Sequence, residues 1–411
     1  MQVPRQLLVR SPRARNKITG LPHGTCLFDV KTTMPKAKEV ELKEGLRLFP
    51  LPASLIACSP AYYQQCPTEL RTALALIKNS ADILSLLLDG GHSKVAGRLA
   101  GAFRNIGRDR VADEILATMK AADFDVREAD PFQEKLPSIG DRRETSPLAM
   151  RIKLMWQAMR KDVVGKLPAP TPLNDADAYL AQVDDIYVTD AYHSLSIEGY
   201  KVNIELIERV RSGGWNPDSV EEDKKHRDAL AARGYWQAFQ EVRNSVQKCL
   251  EGQNSGQVAD QDHASWYREL FAPSATACLL KLSDLAGYRN APVYIRSSMH
   301  VPPSSDAVRD AMPALFDLIE AETDASVRVV LGHFVFVYIH PYIDGNGRTG
   351  RFLMNVMMAA GGYPWTVIPV EQRDAYMTAL EAASSEGNIT PFTELIASLI
   401  ECGAKVSRDL R

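Results

Sequence analysis

The densest cluster of chemically capable residues lies between His340 and Arg351, in a stretch that reads HPYIDGNGRTGR. An apolar run precedes it and residues with helical spacing follow it, so we expect a loop between two helices. Gly345 and Gly347 let the backbone turn its N–H groups inward where the second helix begins. The loop therefore predicts a binding site for an anion.

The charged side chains of this loop indicate which anion it binds. Arg348 and Arg351 are three residues apart, so both lie on the first helical turn and can hold phosphate oxygens. Asp344 would repel phosphate on its own, but Mg²⁺ often bridges a carboxylate to phosphates. Histidine titrates near neutral pH, so His340 could take a proton from an attacking hydroxyl. A nucleotide with magnesium is the simplest ligand.

This pattern resembles the H-x-F-x-[DE]-G-N-G-R-x-x-R signature of the Fic domain, and the similarity extends over about Ala191 to Ile400. The resemblance implies that His340 is the general base and that Asp344 binds Mg²⁺, with Mn²⁺ as an alternative. It also implies that ATP is the substrate. The residues expected to bind its phosphates are Gly345, Asn346, Gly347, Arg348 and Arg351. Tyr342 replaces the usual Phe, and its ring can anchor the loop if its hydroxyl finds a partner.

Two further segments resemble parts of the same family. Residues 292–296 alternate between apolar and polar, which predicts a short hairpin, and residues 292–301 are similar to the flap that pairs with an extended target segment. Its expected target-binding residues are Val293, Tyr294 and Ile295. Residues 373–377 resemble the helix that lines the base pocket, which implies that Tyr376 contacts the nucleotide.

The segment SLSIEG, from Ser194 to Gly199, resembles the inhibitory motif of the class with an N-terminal inhibitory helix. A short helix near residues 191–199 that ends at Gly199 would present Glu198 at its last turn. Pairing with Glu198 would withdraw Arg351 from the γ-phosphate. The alternative is that Glu198 is a surface acid at a helix end.

The resemblance implies a protein adenylyltransferase, which transfers AMP from Mg-ATP to a Ser, Thr or Tyr hydroxyl of a target protein. Within the same fold, removal of AMP or transfer of another phosphate-containing group are alternatives. Self-modification and an oligomer are compatible with the sequence. An alternative of a different class is a DNA-binding regulator of a toxin–antitoxin-like system.

The length of 411 residues predicts more than one domain. We expect a mostly α fold, with a Fic-type helical core and a short β-hairpin flap, preceded by a separate, mainly helical α+β domain. Helical spacing between Leu51 and Met119 and a break in periodicity after Asp130 suggest the boundaries. They are a basic segment at 1–20, an accessory domain at 21–135, a linker and connecting helix at 136–185, and the Fic domain at 186–405.

The N-terminal part keeps contact with nucleic acid open. Residues 1–20 hold five basic residues and no acid, and residues 20–132 bear a faint resemblance to the regulatory domain of abortive-infection antitoxins. A basic cluster in this part comprises Arg98, Arg104, Arg108 and Arg110. However, the net charge of −3 argues against a protein whose whole surface binds nucleic acid or acidic lipid.

The cysteines and the hydropathy indicate the compartment. Six cysteines without a C-x-x-C pair fit reduced, structural thiols. There is neither an apolar leader nor a run of 18 apolar residues, so we expect a cytoplasmic protein without a membrane partner.

Overall fold

A computed structural model describes residues 6–32, 34–35, 40–43, 45–77, 80–122, 124–132, 146–170, 175–214, 227–277, 279–280 and 287–409. Helices dominate these residues, with a few short strands near the N-terminus, so the predicted mostly α fold class is confirmed. The chain forms two compact units that divide between Ala158 and Met159, inside the segment predicted as linker and connecting helix.

The N-terminal unit begins with strands that the sequence did not predict. They are β1 (Gln6–Ser11), β2 (Ile18–Gly20), β3 (Cys26–Lys31), β4 (Glu41–Lys43) and β5 (Leu46–Leu48). Strand β3 is central, with β1 parallel and β2 antiparallel to it, and β4 pairs with β5. Within the predicted basic segment, residues 6–11 and 18–20 are strands of this sheet. The carboxylate of Asp29 on β3 accepts the backbone N–H groups of Arg15 and Lys17 and ties this stretch to the sheet.

Six helices follow, as the spacing between Leu51 and Met119 predicts. They are α1 (Leu51–Ala57), α2 (Pro60–Gln65), α3 (Pro67–Ala75), α4 (Ala81–Gly90), α5 (Ser93–Asn105) and α6 (Asp109–Ala121). Their apolar faces form one core that includes Leu74, Leu87 and Phe103. The basic cluster is largely used inside the unit. Arg98 and Arg108 donate to backbone carbonyls, and Arg104 pairs with three acids, which leaves little of this cluster for nucleic acid.

Helix α7 (Pro147–Val163) crosses the division, and the C-terminal unit is an assembly of helices. They are α8 (Ala176–Ile197), α9 (Ile204–Arg211), α10 (Arg227–Leu250), α11 (Ser255–Thr276), α12 (Ser305–Ala321), α13 (Ala325–Ile339), α14 (Asn346–Ala360), α15 (Arg373–Glu386) and α16 (Thr390–Asp409). Helix α13 is apolar on nearly all sides and is buried between α12 and α14. A rigid, buried element therefore ends directly at His340.

Helix α8 is longer than the short inhibitory helix predicted near residues 191–199. It begins after Asp175, whose side chain accepts the N–H of Ala178, and continues for 22 residues. Its buried residues Tyr179, Val183 and Tyr187 extend the packed face well before Ser194. The predicted boundary at residue 186 therefore falls within a continuous helix.

The hairpin predicted over residues 292–301 is wrong in its secondary structure, because none of these residues lies in an assigned β-strand. The segment turns at Arg296 and Ser297, and Ser297 adopts a left-handed φ of 62°. An isolated two-stranded ribbon has little burial to stabilise it. Tyr294 between the expected strands is 80% exposed. Across the described parts of both units, no helix is long and apolar enough to cross a membrane.

Candidate functional site

The loop after α13 is held in shape by its own residues. His340 takes a left-handed conformation with φ 54° and ends α13, while Gly345 has φ 79° and precedes α14. The Asn346 side chain accepts the N–H of Tyr342 at 2.8 Å and donates to its carbonyl at 2.9 Å. Tyr342 is buried and stacks on Tyr267, with ring centroids 3.7 Å apart. The loop is therefore preorganised.

These contacts change two expectations about the loop. Both polar atoms of the Asn346 amide are occupied by the backbone of Tyr342, so Asn346 shapes the loop instead of projecting toward a ligand. The Tyr342 ring anchors the loop as predicted, but its buried hydroxyl has no hydrogen-bond partner among the described residues. Burial raises the pKa of this phenol well above its usual value, so it stays neutral.

The His340 imidazole is suited to accept a proton. Its Nδ1 lies 3.3 Å from the carbonyl of Val337. Because a carbonyl only accepts hydrogen bonds, Nδ1 carries the proton and Nε2 keeps its lone pair. Burial lowers the pKa of His340 to about 4, with a further contribution from Arg289. The ring is therefore neutral at physiological pH.

Arg348 is a buried cation with unused hydrogen-bonding capacity. The residue is 1% exposed and its guanidinium lies between the rings of Tyr200 and Phe271, at 5.1 and 4.9 Å from their centroids. Its Nη2 is 3.5 Å from Asp344 Oδ2, but neither Nη2 nor Nε donates a hydrogen bond to any described residue. A buried guanidinium in this state is prepared for an anionic ligand.

Arg351 is attached to α8 by three hydrogen bonds. Nε donates to Ser194 Oγ at 2.9 Å, and Nη2 donates to the Ser194 carbonyl at 3.0 Å and to Glu198 Oε1 at 2.8 Å. Helix α8 ends in a Schellman arrangement at Gly199, with φ 84° and a bond from the Tyr200 N–H to the Leu195 carbonyl. This helix end directs Glu198 toward α14.

The Glu198 carboxylate lies over the N-terminus of α14. A Cβ atom added to Gly347 would be 2.3 Å from Glu198 Oε1, so glycine is required for this approach. Burial alone would raise the pKa of Glu198, but the charges of Arg351 and Arg348 hold it below its usual value. Glu198 is therefore an anion at the place where the dipole and N–H groups of α14 favour negative charge.

Asp344 provides the loop's exposed acid. Its side chain is 59% exposed, and Oδ1 accepts the N–H of Gly345 at 2.6 Å. The described residues contain no cluster of three or more His, Cys, Asp or Glu side chains that could hold a metal alone. One hard carboxylate oxygen beside a phosphate site still fits Mg²⁺, which takes one or two protein carboxylates and fills the rest of its shell from phosphates and water.

Tyr376, which the resemblance assigns to nucleotide contact, is buried in this structure. It is 1% exposed, and its hydroxyl bonds to Nε2 of the buried His333 at 2.8 Å. Burial raises its pKa to about 12. The residue projects into the core formed by α13, α15 and α16 because its ring packs against His333 and Phe392. His333 is fully buried and is a core histidine.

Several residues of the site were missed by sequence reasoning. Arg289 donates from Nε to the His340 carbonyl at 2.8 Å, and its backbone N–H donates to Pro341. Arg373 donates to the carbonyl of Ile197 at 2.9 Å and so caps α8 beside Glu198. The buried Asp190 on α8 accepts from Tyr235 at 2.6 Å, and burial raises its pKa to about 6. Only the spacing of Asp190, four residues before Ser194, could have signalled a shared helix face.

Comparison with known proteins agrees with this geometry. The Fic/DOC family model matches residues 261–358. The chain is 29% identical over 243 residues to Protein adenylyltransferase Fic of Drosophila willistoni, covering 57% of this chain and 45% of that protein. It is 37% identical over 271 residues to the protein of the same name from Drosophila mojavensis, covering 64% and 49%. The chain thus spans less than half the length of these relatives.

A solved structure of Fic-1 from C. elegans, residues 134–508, is similar at a TM-score of 0.47 with 17% sequence identity, covering 84% of this chain and 96% of that one. The family match includes α13, the loop from His340 to Arg351 and most of α14. The chain therefore carries a Fic/DOC-type domain that includes residues 261–358.

Proposed function

We propose that the chain is a protein adenylyltransferase. A Ser, Thr or Tyr hydroxyl oxygen of a target protein would attack the α-phosphorus of ATP. The bond from that phosphorus to the oxygen bridging the α- and β-phosphates would break, and pyrophosphate would leave with its electron pair. His340 Nε2 would accept the hydroxyl proton. The AMP group would end as a phosphodiester on the target.

The observation that carries this proposal is that the buried guanidinium of Arg348 has unused hydrogen-bond donors. A fully buried guanidinium with two nitrogen atoms unused lowers the stability of the fold unless a ligand accepts hydrogen bonds from them. Arg348 lies in the first turn of α14, whose N-terminal N–H groups favour phosphate, and His340 lies at the other end of the loop. A proton acceptor next to a site for several phosphate groups supports transfer from a nucleotide.

Asp344 would hold the Mg²⁺ that accompanies ATP. Its Oδ2 faces Arg348, so the metal and the guanidinium would bind neighbouring phosphate oxygens. When bound, the ion would neutralise phosphate charge and stabilise the departing pyrophosphate. Asn346 and Gly345 would keep the loop in the shape that directs its N–H groups inward.

We further propose that Glu198 inhibits the enzyme. The Glu198 carboxylate accepts a hydrogen bond from Arg351 and fills the space above Gly347. A γ-phosphate would need both the Arg351 nitrogen and this space. Two anions cannot share this space without strong repulsion. ATP would then bind only when Glu198 withdraws, or would bind with its phosphates misaligned for attack.

The test is incubation of the purified chain with α-labelled ATP, Mg²⁺ and a cell lysate, comparing wild type with Glu198→Gly and with Glu198→Gly combined with His340→Ala. We expect label on protein with Glu198→Gly and loss of that label in the double variant. Mass spectrometry of the labelled protein should find AMP on a hydroxyl side chain. Absence of label with Glu198→Gly would contradict the proposal.

Removal of AMP from a modified protein is a second candidate. One observation favours it: the Glu198 carboxylate interacts electrostatically with both His340 and Arg351, so it could orient a water molecule beside the bound phosphate. A Tyr, Ser or Thr peptide carrying AMP separates the two candidates. Release of AMP by the wild type and not by Glu198→Gly would indicate removal as the principal reaction.

A further inference from the structure

The segment between α11 and α12 is joined to the catalytic loop through Arg289 and has one β-bridge residue, His300, while its first half lies outside any strand. We call residues 291–303 the flap segment. Val293 and Ile295 are half-buried, while Tyr294 and Arg296 are exposed. No hydrogen bond joins the backbone of Val293 or Tyr294 to another described residue. This part of the segment therefore has main-chain groups that no other described residue uses.

A single carboxylate holds the turn in the middle of the flap segment. Glu381 on α15 accepts the N–H of Met299 through Oε1 at 2.8 Å. Its other oxygen, Oε2, accepts the hydroxyl of Ser298. The Ser298 oxygen in turn accepts the N–H of His300 at 3.0 Å. One acid thus fixes the backbone directly after the left-handed turn at Ser297.

A single guanidinium joins both ends of the flap segment to the catalytic loop. Arg289 is 2% exposed and donates to the carbonyls of Ala291 and Pro303, which lie at the two ends. Its Nε donates to the carbonyl of His340 at 2.8 Å. His300 also holds this segment, because its Nε2 donates to the Tyr338 carbonyl on α13 at 2.7 Å. Without Glu381, the turn at residues 296–299 would lose its side-chain hydrogen bonds and would move between His300 and the fixed end at Ala291.

We propose that Glu381 is a positioning residue for the protein acceptor: it holds the turn at residues 296–299 so that the free backbone at Val293 and Tyr294 aligns an extended target segment with His340. This inference rests on the proposed transfer activity. Extended segments that bind through main-chain hydrogen bonds require a fixed partner strand, since a shift of about 1 Å at the reacting atom can cost a hundredfold in rate. Water, as the acceptor in a hydrolytic side reaction, requires no such strand.

The experiment compares two acceptors in the Glu198→Gly background. One is a random-sequence peptide library containing Ser, Thr and Tyr, and the other is water, measured as release of AMP from ATP. We expect Glu381→Ala to lower kcat/KM for the peptides about ten- to a hundredfold, mainly through kcat, while AMP release falls far less. Glu381→Gln should recover part of the loss, because its amide oxygen still accepts the Met299 N–H.

Two controls separate positioning from general damage. Glu394→Ala removes an exposed acid from α16 and should match the parent with both acceptors. Amide hydrogen exchange should rise at Met299 in Glu381→Ala and stay unchanged within residues 340–351. Equal losses with peptide and water, or faster exchange throughout the loop, would overturn the positioning role.

The two proposals fail in distinguishable ways. A Glu198→Gly parent that modifies no peptide and releases no AMP overturns the transfer activity and, with it, the role of Glu381. An active parent whose Glu381→Ala variant keeps its peptide kcat/KM overturns the positioning role alone.

Discussion

Oε1 of Glu198 lies 2.8 Å from Nη2 of Arg351, although the two residues are 153 positions apart in the sequence. The contact joins the C-cap residue of α8 to the second turn of α14. Because the same oxygen lies above Gly347, the pair occupies the helix N-terminus that phosphate would use. Under the proposed function, inhibition by Glu198 and nucleotide binding would compete for one anion site.

Glu198→Gly should raise transfer activity about ten- to a thousandfold, as expected when one partner of a partly buried ion pair worth a few kcal/mol is removed. Glu198→Gln should activate less, because it removes the charge but keeps the bulk above Gly347. Arg351→Ala should lower activity, since it breaks the same contact and also discards a phosphate ligand. The measurement is label transferred from ATP. Equal activity of Glu198→Gly and wild type would return Glu198 to an ordinary helix-end acid.

His340→Ala should abolish transfer and leave nucleotide affinity nearly intact, because the imidazole moves a proton and holds no phosphate. Asp344→Ala should instead weaken ATP binding in the presence of Mg²⁺ and change it little in EDTA. Isothermal titration in both conditions, in the Glu198→Gly background, separates the two roles. Retention of most activity by His340→Ala would show that another group is the base.

Arg373→Ala should activate the enzyme by a smaller factor than Glu198→Gly. Arg373 donates to the carbonyl of Ile197, so its loss loosens the end of α8 that carries Glu198. The neighbouring Asp374 touches only the exposed side of Arg373, which makes Asp374→Ala the matched control. Adding Arg373→Ala to Glu198→Gly should produce no further increase. A further increase would mean that Arg373 acts on the nucleotide and not through Glu198.

The lowered pKa of His340 predicts a dependence of stability on pH. The folded pKa is about 4, below the usual value of 6.5, so the unfolded chain binds more protons between these limits. The contribution of the neutral His340 ring to the free energy of unfolding is complete above pH 6.5 and is lost as the pH falls to 4. Asn tolerates a left-handed backbone and does not titrate. The free energy of unfolding of His340→Asn should therefore fall by about 1–3 kcal/mol less than that of the wild type over this pH range. Denaturant unfolding at pH 7 and pH 4.5 measures this difference in the free energy of unfolding. An identical change with pH in both proteins would contradict the lowered pKa of His340.

The basic N-terminus predicts weak, salt-sensitive binding to any polyanion. Deletion of residues 1–20 is a poor test, because it removes β1 and β2 from the sheet. Replacing Arg13, Arg15 and Lys17 with Gln retains the backbone bonds to Asp29 and removes only charge. A gel shift across a salt series should show weaker binding by this triple variant. Tight, salt-resistant binding to one DNA sequence would instead favour the regulator alternative.

The catalytic loop was predictable because its chemistry is local. His340, Asp344, Arg348 and Arg351 lie within twelve residues, and the glycines that shape the loop lie among them. Helical spacing also predicted the six N-terminal helices, since burial of one face repeats with the helix period. The strands were not predicted because β1, β2, β4 and β5 are largely exposed and β3 is only half-buried, so they carry little hydrophobic pattern.

What the sequence determined by itself was the family, the loop and the residue types able to bind phosphate and move a proton. Only the tertiary structure decided that Asn346 bonds inward to Tyr342, that Tyr376 lies in the core, and that no strands form the flap segment. It also brought Arg289 to His340 and Glu381 to Met299, across 51 and 82 residues. Such pairs depend on how helices pack, and side chains that meet only through packing share no spacing along the chain from which their contact could be inferred.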